Sequence, residues 1–181
     1  MGGGPTAELG VLALSVDLQT ILERTYERHK RDVYKIALRY GGGRTDWAED
    51  ILHDVFVLLA KNLHALDAHE DLMGWLYRTT THRCLNRLEM ERFRALAPLR
   101  WFYALVFPEP TRPDAIAFAK EDIERALACI ASLPPKERIA FSMFRIDQRP
   151  LREIADILGH TEGYVSKLVS RAEKRLLEVA R

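Results

Sequence analysis

The sequence predicts an all-α protein of two small helical domains joined by a linker. Apolar residues recur at helical spacing along most of the chain, and no stretch alternates convincingly as a strand would. A proline-interrupted stretch divides the chain past its middle. The 181 residues, 48% of them apolar, supply one domain of ordinary size or two small ones with real cores. The formal net charge of +1 excludes a protein that coats nucleic acid through bulk charge alone.

The opening MGGGPTAELGVLALSV has no positively charged leader, and its apolar run is too short for a secretory signal or a membrane span. Residues 1–16 are therefore expected as a flexible N-terminal tail, and the protein as cytoplasmic with no membrane partner. From Asp17 to Tyr40, Leu18, Ile21, Leu22, Val33, Ile36, Ala37 and Tyr40 follow one helical stripe, which Gly41, Gly42 and Gly43 end. A second helix starts near Thr45 or Asp46, where a side-chain oxygen can cap it and Glu49 and Asp50 favour the positive pole of its dipole. It buries Ile51, Leu52, Val55, Leu58 and Leu59. The polar stretch His64 to Asp71 reads as a loop, and Leu72, Trp75, Leu76 and Thr79 open a third helix reaching about Arg94. Residues 17–95 thus form a first bundle.

Residues 96–113 read as the linker, because Pro98, Pro108, Pro110 and Pro113 interrupt any helix. Its segment 99–107 carries Leu99, Trp101, Phe102, Tyr103, Leu105, Val106 and Phe107, more apolar surface than a tether needs. We expect it to dock and to hold the domains in a compact arrangement. In the second domain, 114–181, Ile116, Ala119, Ile123, Ala126, Leu127 and Ile130 mark one helix. Pro134 and Pro135 end it and start the next, which carries Ile139, Ala140, Met143 and Phe144.

Residues 151–170 have the layout of a helix-turn-helix. Leu151, Ile154, Ala155 and Leu158 line one face, Gly159 breaks the run, and Thr161 can cap a recognition helix over about 162–176. Val165, Leu168, Val169, Ala172 and Leu176 can pack inward, leaving Glu162, Tyr164, Ser166, Lys167, Ser170, Arg171 and Lys174 outside. Such a helix can enter a DNA major groove. An antiparallel helix pair with a solvated basic face would share the pattern, so this segment alone leaves both readings open. Positive charge is also concentrated mid-chain, where Arg78, Arg83, Arg87, Arg92, Arg94 and Arg100 face only Glu89 and Glu91.

Cys84 and Cys129 lie far apart with no companion ligands, which predicts reduced thiols and no metal site. No nucleophile, base and orienting group occur together and no glycine-rich phosphate loop is present, so neither catalytic residues nor a cofactor is expected.

Two ordered blocks resemble the extracytoplasmic-function branch of bacterial sigma factors. The first is TYERHKRDVYKIALRY, WAEDILHDVFVLLAKNLHAL and DLMGWLYRTTTHRCLNRLEMER, similar to region 2. The second is ALACIASLPPKERIAFSMFRIDQRPLREIADILGHTEGYVSKLVSRAEKRL, similar to region 4. The resemblance implies that residues 47–60 grip core RNA polymerase, with Ala48, Glu49, Asp50, Asp54 and Phe56 at matching positions. It implies that residues 64–94 read the −10 promoter element, through the loop and through Trp75, Arg78, His82, Arg83, Asn86 and Arg87. Trp75 is at such a position more often a core residue than a base-stacking one, since a large aromatic contributes most when buried. Glu162, Tyr164, Ser166, Lys167, Ser170, Arg171 and Lys174 would read the −35 element.

The implied partners are core RNA polymerase, promoter DNA and an anti-sigma factor, with the polymerase supplying the chemistry. The chain departs from the family where Thr79, Thr80, Thr81 and His82 replace an Ile-Ala-Arg-Asn run, where Asn86 replaces a common aspartate, and where Leu168 replaces an arginine. These changes bear on base preference. An autonomous helix-turn-helix regulator with a sensing or dimerising N-terminal bundle, or a helical adaptor with no DNA role, uses similar elements. The acidic 47–60 block and the Arg78–Arg94 run, both upstream of the helix-turn-helix, favour the sigma reading.

Overall fold

The computed structural model describes residues 6–62, 71–96 and 119–179, and among them every regular element is helical. In order these are α1 (Thr6–Tyr40), α2 (Thr45–Asn62), α3 (Leu72–Leu96), α4 (Ala119–Ala131), α5 (Pro135–Phe141), α6 (Leu151–Leu158) and α7 (Glu162–Val179). A single π turn, Ser142–Ile146, continues α5. The expected loop over 64–70, the apolar segment 99–107 and the rest of residues 97–118 lie outside the described residues.

The first helix begins at Thr6, so residues 6–16 are helical and not the expected tail. The sequence allows this because the Gly-Gly-Gly-Pro leader precedes Thr6. Beyond it only Gly10 opposes a helix, at a cost of about 1 kcal/mol relative to alanine.

In the first bundle α1 contributes Val33, Ile36, Ala37 and Tyr40, α2 contributes Trp47, Ala48, Ile51, Val55, Phe56 and Leu59, and α3 contributes Leu76, Tyr77, Cys84 and Leu88. The glycine corner between α1 and α2 lets Trp47 fold back. A Cβ on Gly41 would meet Trp47 Cε3 at 2.7 Å, and the indole Nε1 donates to Glu91 Oε1 at 2.8 Å, tying α2 to α3. Gly42 has φ +71, and a Cβ there would lie 2.4 Å from the Ala131 Cβ. Gly42→Ala is therefore expected to cost about 1–3 kcal/mol of stability, checked by urea unfolding.

The second unit packs Ile139, Ala140 and Met143 against Ile154, Ala155, Ile157, Val165, Leu168, Val169 and Ala172. Pro135 opens α5, where a missing N–H costs nothing. The π turn adds a residue to the last turn, with Asp147 N–H donating to Ser142 O at 3.0 Å, and Gln148 then takes φ 55 before Pro150 leads into α6.

The two units are in direct contact and share one apolar cluster. Asp147 projects into the seam. Its Oδ2 accepts from Tyr77 Oη at 2.7 Å and from Tyr40 Oη at 3.1 Å, while Arg39 Nη1 lies 2.5 Å from its Oδ1. The tyrosine oxygens are 3.0 Å apart. Elsewhere in the seam Arg138 Nη1 donates to Tyr40 O at 3.2 Å, and His82 Nε2 lies 2.6 Å from Ile157 O. Among the described residues the two units meet directly, and the expected docking of residues 99–107 lies outside those residues.

Burial pushes the pKa of both tyrosine hydroxyls well above its ordinary value, so they stay protonated beside the carboxylate. The unfolded chain releases these protons near pH 10.0, whereas the folded chain retains them. Stability from this source is complete below that pH and declines as pH rises past it. Thermal melts across the alkaline range are expected to show that decline, and Tyr40→Phe with Tyr77→Phe to reduce it.

Candidate nucleic-acid interface

The helix-turn-helix is positioned by its own apolar stripe. Ile154, Ala155 and Ile157 of α6 face Val165, Leu168, Val169 and Ala172 of α7. The turn depends on Gly159 in the left-handed region (φ 66, ψ 38), which lets His160 N–H reach back to Ala155 O at 2.9 Å. Thr161 Oγ1 accepts from Tyr164 N–H at 3.3 Å, the bond of an N-cap.

With that register set, Glu162, Tyr164, Ser166, Lys167, Ser170, Arg171 and Lys174 are all exposed. Leu168 is only 3% exposed, so this position faces the core, and Lys167 and Arg171 supply cations of the outer face. Tyr164 is held edge-on to the His160 ring at 4.7 Å. The neighbouring cations are occupied: Arg175 pairs with Glu137 at 3.0 Å and Arg145 with Glu173. Arg152, exposed in the first turn of α6, was not among the expected residues, and its place at a helix start was the available signal.

On α3, Arg78, His82 and Asn86 form an exposed stripe, with Arg83 and Arg87 half-buried beside it. A groove of about 330 Å³ lies between α2 and α3, lined by Asp54 on one side and by Arg83, Asn86, Arg87, Met90 and Arg94 on the other. Not every expected contact is free. Trp75 is half-buried against the core, and Arg87 is bound to Asp50 at 2.6 Å and lies over the Trp47 ring, so it braces α2 on α3. His82 is engaged by Ile157 of the other unit.

Thr80 and Thr81 are fully buried, and Thr80 Oγ1 donates to Leu76 O at 2.7 Å. These departures from the family pattern therefore alter packing, and of the residues near them His82 reaches the surface. Sequence reasoning missed Phe93, which is 74% exposed between Arg92 and Arg94. An aromatic off the apolar stripe of a basic helix was the clue, since such a ring offers a stacking face to unpaired bases.

The outer face of α2 carries Glu49, Asp50, His53, Asp54 and Val57. Ala48 and Phe56, expected at the polymerase-binding surface, are not on this outer face but buried beneath it. Ala48 has no exposed area, and Phe56 is 7% exposed with its ring edge-on to Tyr26 at 4.8 Å. Both fall on the same side of the helix as Ile51, Val55 and Leu59, which packing against α1 and α3 turns inward. His53 and Val57 complete the stripe in their place.

The Sigma-70 region 2 family model matches residues 25–94, and the Sigma-70 region 4 model matches residues 123–176. The chain belongs to the extracytoplasmic-function sigma factors. It is 26% identical over 154 residues to the ECF RNA polymerase sigma factor SigM of Mycobacterium tuberculosis, covering 85% of this chain and 74% of that one. It is 25% identical over 174 residues to SigG of the same species, covering 84% of this chain and 47% of that one. The sigma factor RpoE of Bartonella quintana, solved in complex with the anti-sigma factor NepR, shares the fold at TM-score 0.64 and 18% identity, covering 87% of this chain and 95% of that one. CnrH, solved with the cytosolic domain of CnrY, does so at 0.57 and 20%, covering 90% and 88%.

As a sigma factor the chain binds core RNA polymerase and promoter DNA and directs transcription initiation. Sigma factors are regulatory DNA-binding proteins. Among the described residues no helix is long and apolar enough to cross a membrane, and no three metal-ligating side chains gather as a site.

Proposed function

We propose that this sigma factor grips core polymerase through Glu49, Asp54 and the exposed α2 stripe, reads the −10 element with the α3 surface of Arg78, His82, Arg83 and Asn86, and reads the −35 element with α7. Ala48, Phe56, Trp75 and Arg87 then act by packing and bracing. The observation that carries the reading is the outer face of α7, where Lys167, Ser170, Arg171 and Lys174 stand exposed on a Thr161-capped helix. Arginine and lysine there match guanine edges and phosphates in a major groove.

The acidic α2 stripe suits a basic groove on the polymerase, and arginines beside an exposed aromatic suit single-stranded DNA. The chain contributes recognition and no catalytic group, and it works in the cytoplasm with its polymerase. An anti-sigma factor is the further partner proposed, because two structural neighbours were solved with anti-sigma or cytosolic partner domains. Run-off transcription with purified core polymerase across a genomic library tests the reading. Discrete start sites that need both proteins are expected. Operator binding without polymerase and without transcripts would establish the autonomous regulator instead.

A further inference from the structure

Where the last turns of α3 meet the glycine corner after α1 and the residues joining α4 to α5, the structure leaves an open cavity of about 620 Å³. Small-molecule sites occupy about 300–1,000 Å³. Leu88, Ala128 and Leu133 give the cavity apolar walls, and the guanidinium groups of Arg44, Arg92 and Arg138 line it against the carboxylate of Glu91. None of its lining residues lies on α7, and it shares only Glu91 with the groove between α2 and α3.

Glu91 is already spent. Its Oε1 accepts from Trp47 Nε1 at 2.8 Å and its Oε2 from Arg44 Nη2 at 3.0 Å, so it neutralises Arg44 and leaves the other two cations without a counter-charge. Arg138 is the more telling of these. It is 8% exposed and donates to the backbone carbonyls of Tyr40, Ala131 and Leu133, but its Nε has no partner and no carboxylate pairs with it among the described residues. Burial, and then the neighbouring Arg44 charge, pushes its pKa down to about 10. Arg92 stands exposed at the cavity with no ion pair among the described residues. A buried cation without a counter-charge is costly, so an anion placed in the adjoining space is held by a field that water screens poorly.

We infer that this cavity is a binding site for a small organic phosphate monoester, whose dianionic head answers the charges of Arg92 and Arg138 and whose apolar body lies against Leu88, Ala128 and Leu133. The charge balance selects the head group. Two uncompensated guanidiniums match the charge of about −2 that a phosphate monoester carries above its second pKa near 6, whereas a carboxylate supplies half of it. Guanidinium forks also fit phosphate oxygens in bidentate geometry. The apolar walls select the rest of the ligand, because a bare phosphate would leave them facing water.

The test is calorimetric titration of the full chain with phenyl phosphate at pH 7.5, beside benzoate and inorganic phosphate as probes lacking the second charge or the ring. Phenyl phosphate is expected to bind with a dissociation constant on the order of 0.1 mM, and each of the other two roughly ten-fold more weakly. Arg92→Gln removes a charge and Ala128→Trp fills the space, both at exposed positions, and Arg31→Gln removes an exposed charge elsewhere on α1. Circular dichroism establishes that each variant is folded. The first two are expected to lose binding roughly ten-fold or more and the third to keep it, and the Arg138 Nε–H resonance of the unaltered chain is expected to shift as phenyl phosphate is added. Absence of binding, or equal affinity in all three folded variants, would overturn the site. Benzoate binding as tightly as phenyl phosphate would overturn the assignment of a phosphate head, and inorganic phosphate doing so would overturn the part given to the apolar walls.

Discussion

Replacing Lys167 and Arg171 together by alanine is expected to weaken binding of the polymerase holoenzyme to promoter DNA by about 1–3 kcal/mol for each side chain that meets a base edge. Both stand exposed on the face of α7 opposite Val165, Leu168, Val169 and Ala172, so their removal leaves the domain core untouched. Neither carries an ion pair among the described residues, unlike Arg175 and Arg145, so each is available for DNA. Quantitative footprinting over a set of −35 variants separates the roles. Loss of discrimination at one base position marks a base contact, and equal loss on all sequences with a shallower salt dependence marks a phosphate contact.

Glu49→Lys with Asp54→Lys should reduce binding to core polymerase by several kcal/mol, because reversing charge at an interface sets like charges against each other. Asp50 is the less informative choice although it lies on the same face. Its carboxylate holds Arg87, so Asp50→Lys would also drive two cations together and loosen α2 from α3. Pull-down with core polymerase beside circular dichroism decides the matter. Retained binding by the folded variant would move the polymerase contact off this stripe.

The fold was legible wherever a residue's fate depends on its near neighbours in the chain. Apolar spacing located α2, α3 and both helices of the helix-turn-helix, and Gly159 and Thr161 marked the turn because a left-handed C-terminus and a hydroxyl N-cap are local devices. The outer residues of α7 followed from the same periodicity, since a short helix pair has one side on which to bury its stripe. The start of α1 was misjudged. Helix propensity over 6–16 is adequate but unpatterned, and a tail and a helix differ there by small energies.

The proposed polymerase and −10 faces were legible only in part. α2 is apolar over more of its circumference than one stripe, so spacing alone could not say that Ala48 and Phe56 turn inward while Val57 turns out. The roles of Arg87 and His82 depend on Asp50 and on Ile157, partners brought close by helix packing.

By itself, then, the sequence determined the all-helical class, the division into two helical units, the family, and the exposed basic face of α7. Each of these is written in short-range periodicity, capping residues and ordered motifs. Only the tertiary structure decided that the two units close on each other around Asp147. An aspartate after a π turn looks like any solvated loop acid until Tyr40 and Tyr77, 107 and 70 residues away, and Arg39 are folded around it. Long-range polar contacts of this kind leave no periodic trace, because their energy comes from burial and geometry that exist only once the helices have packed.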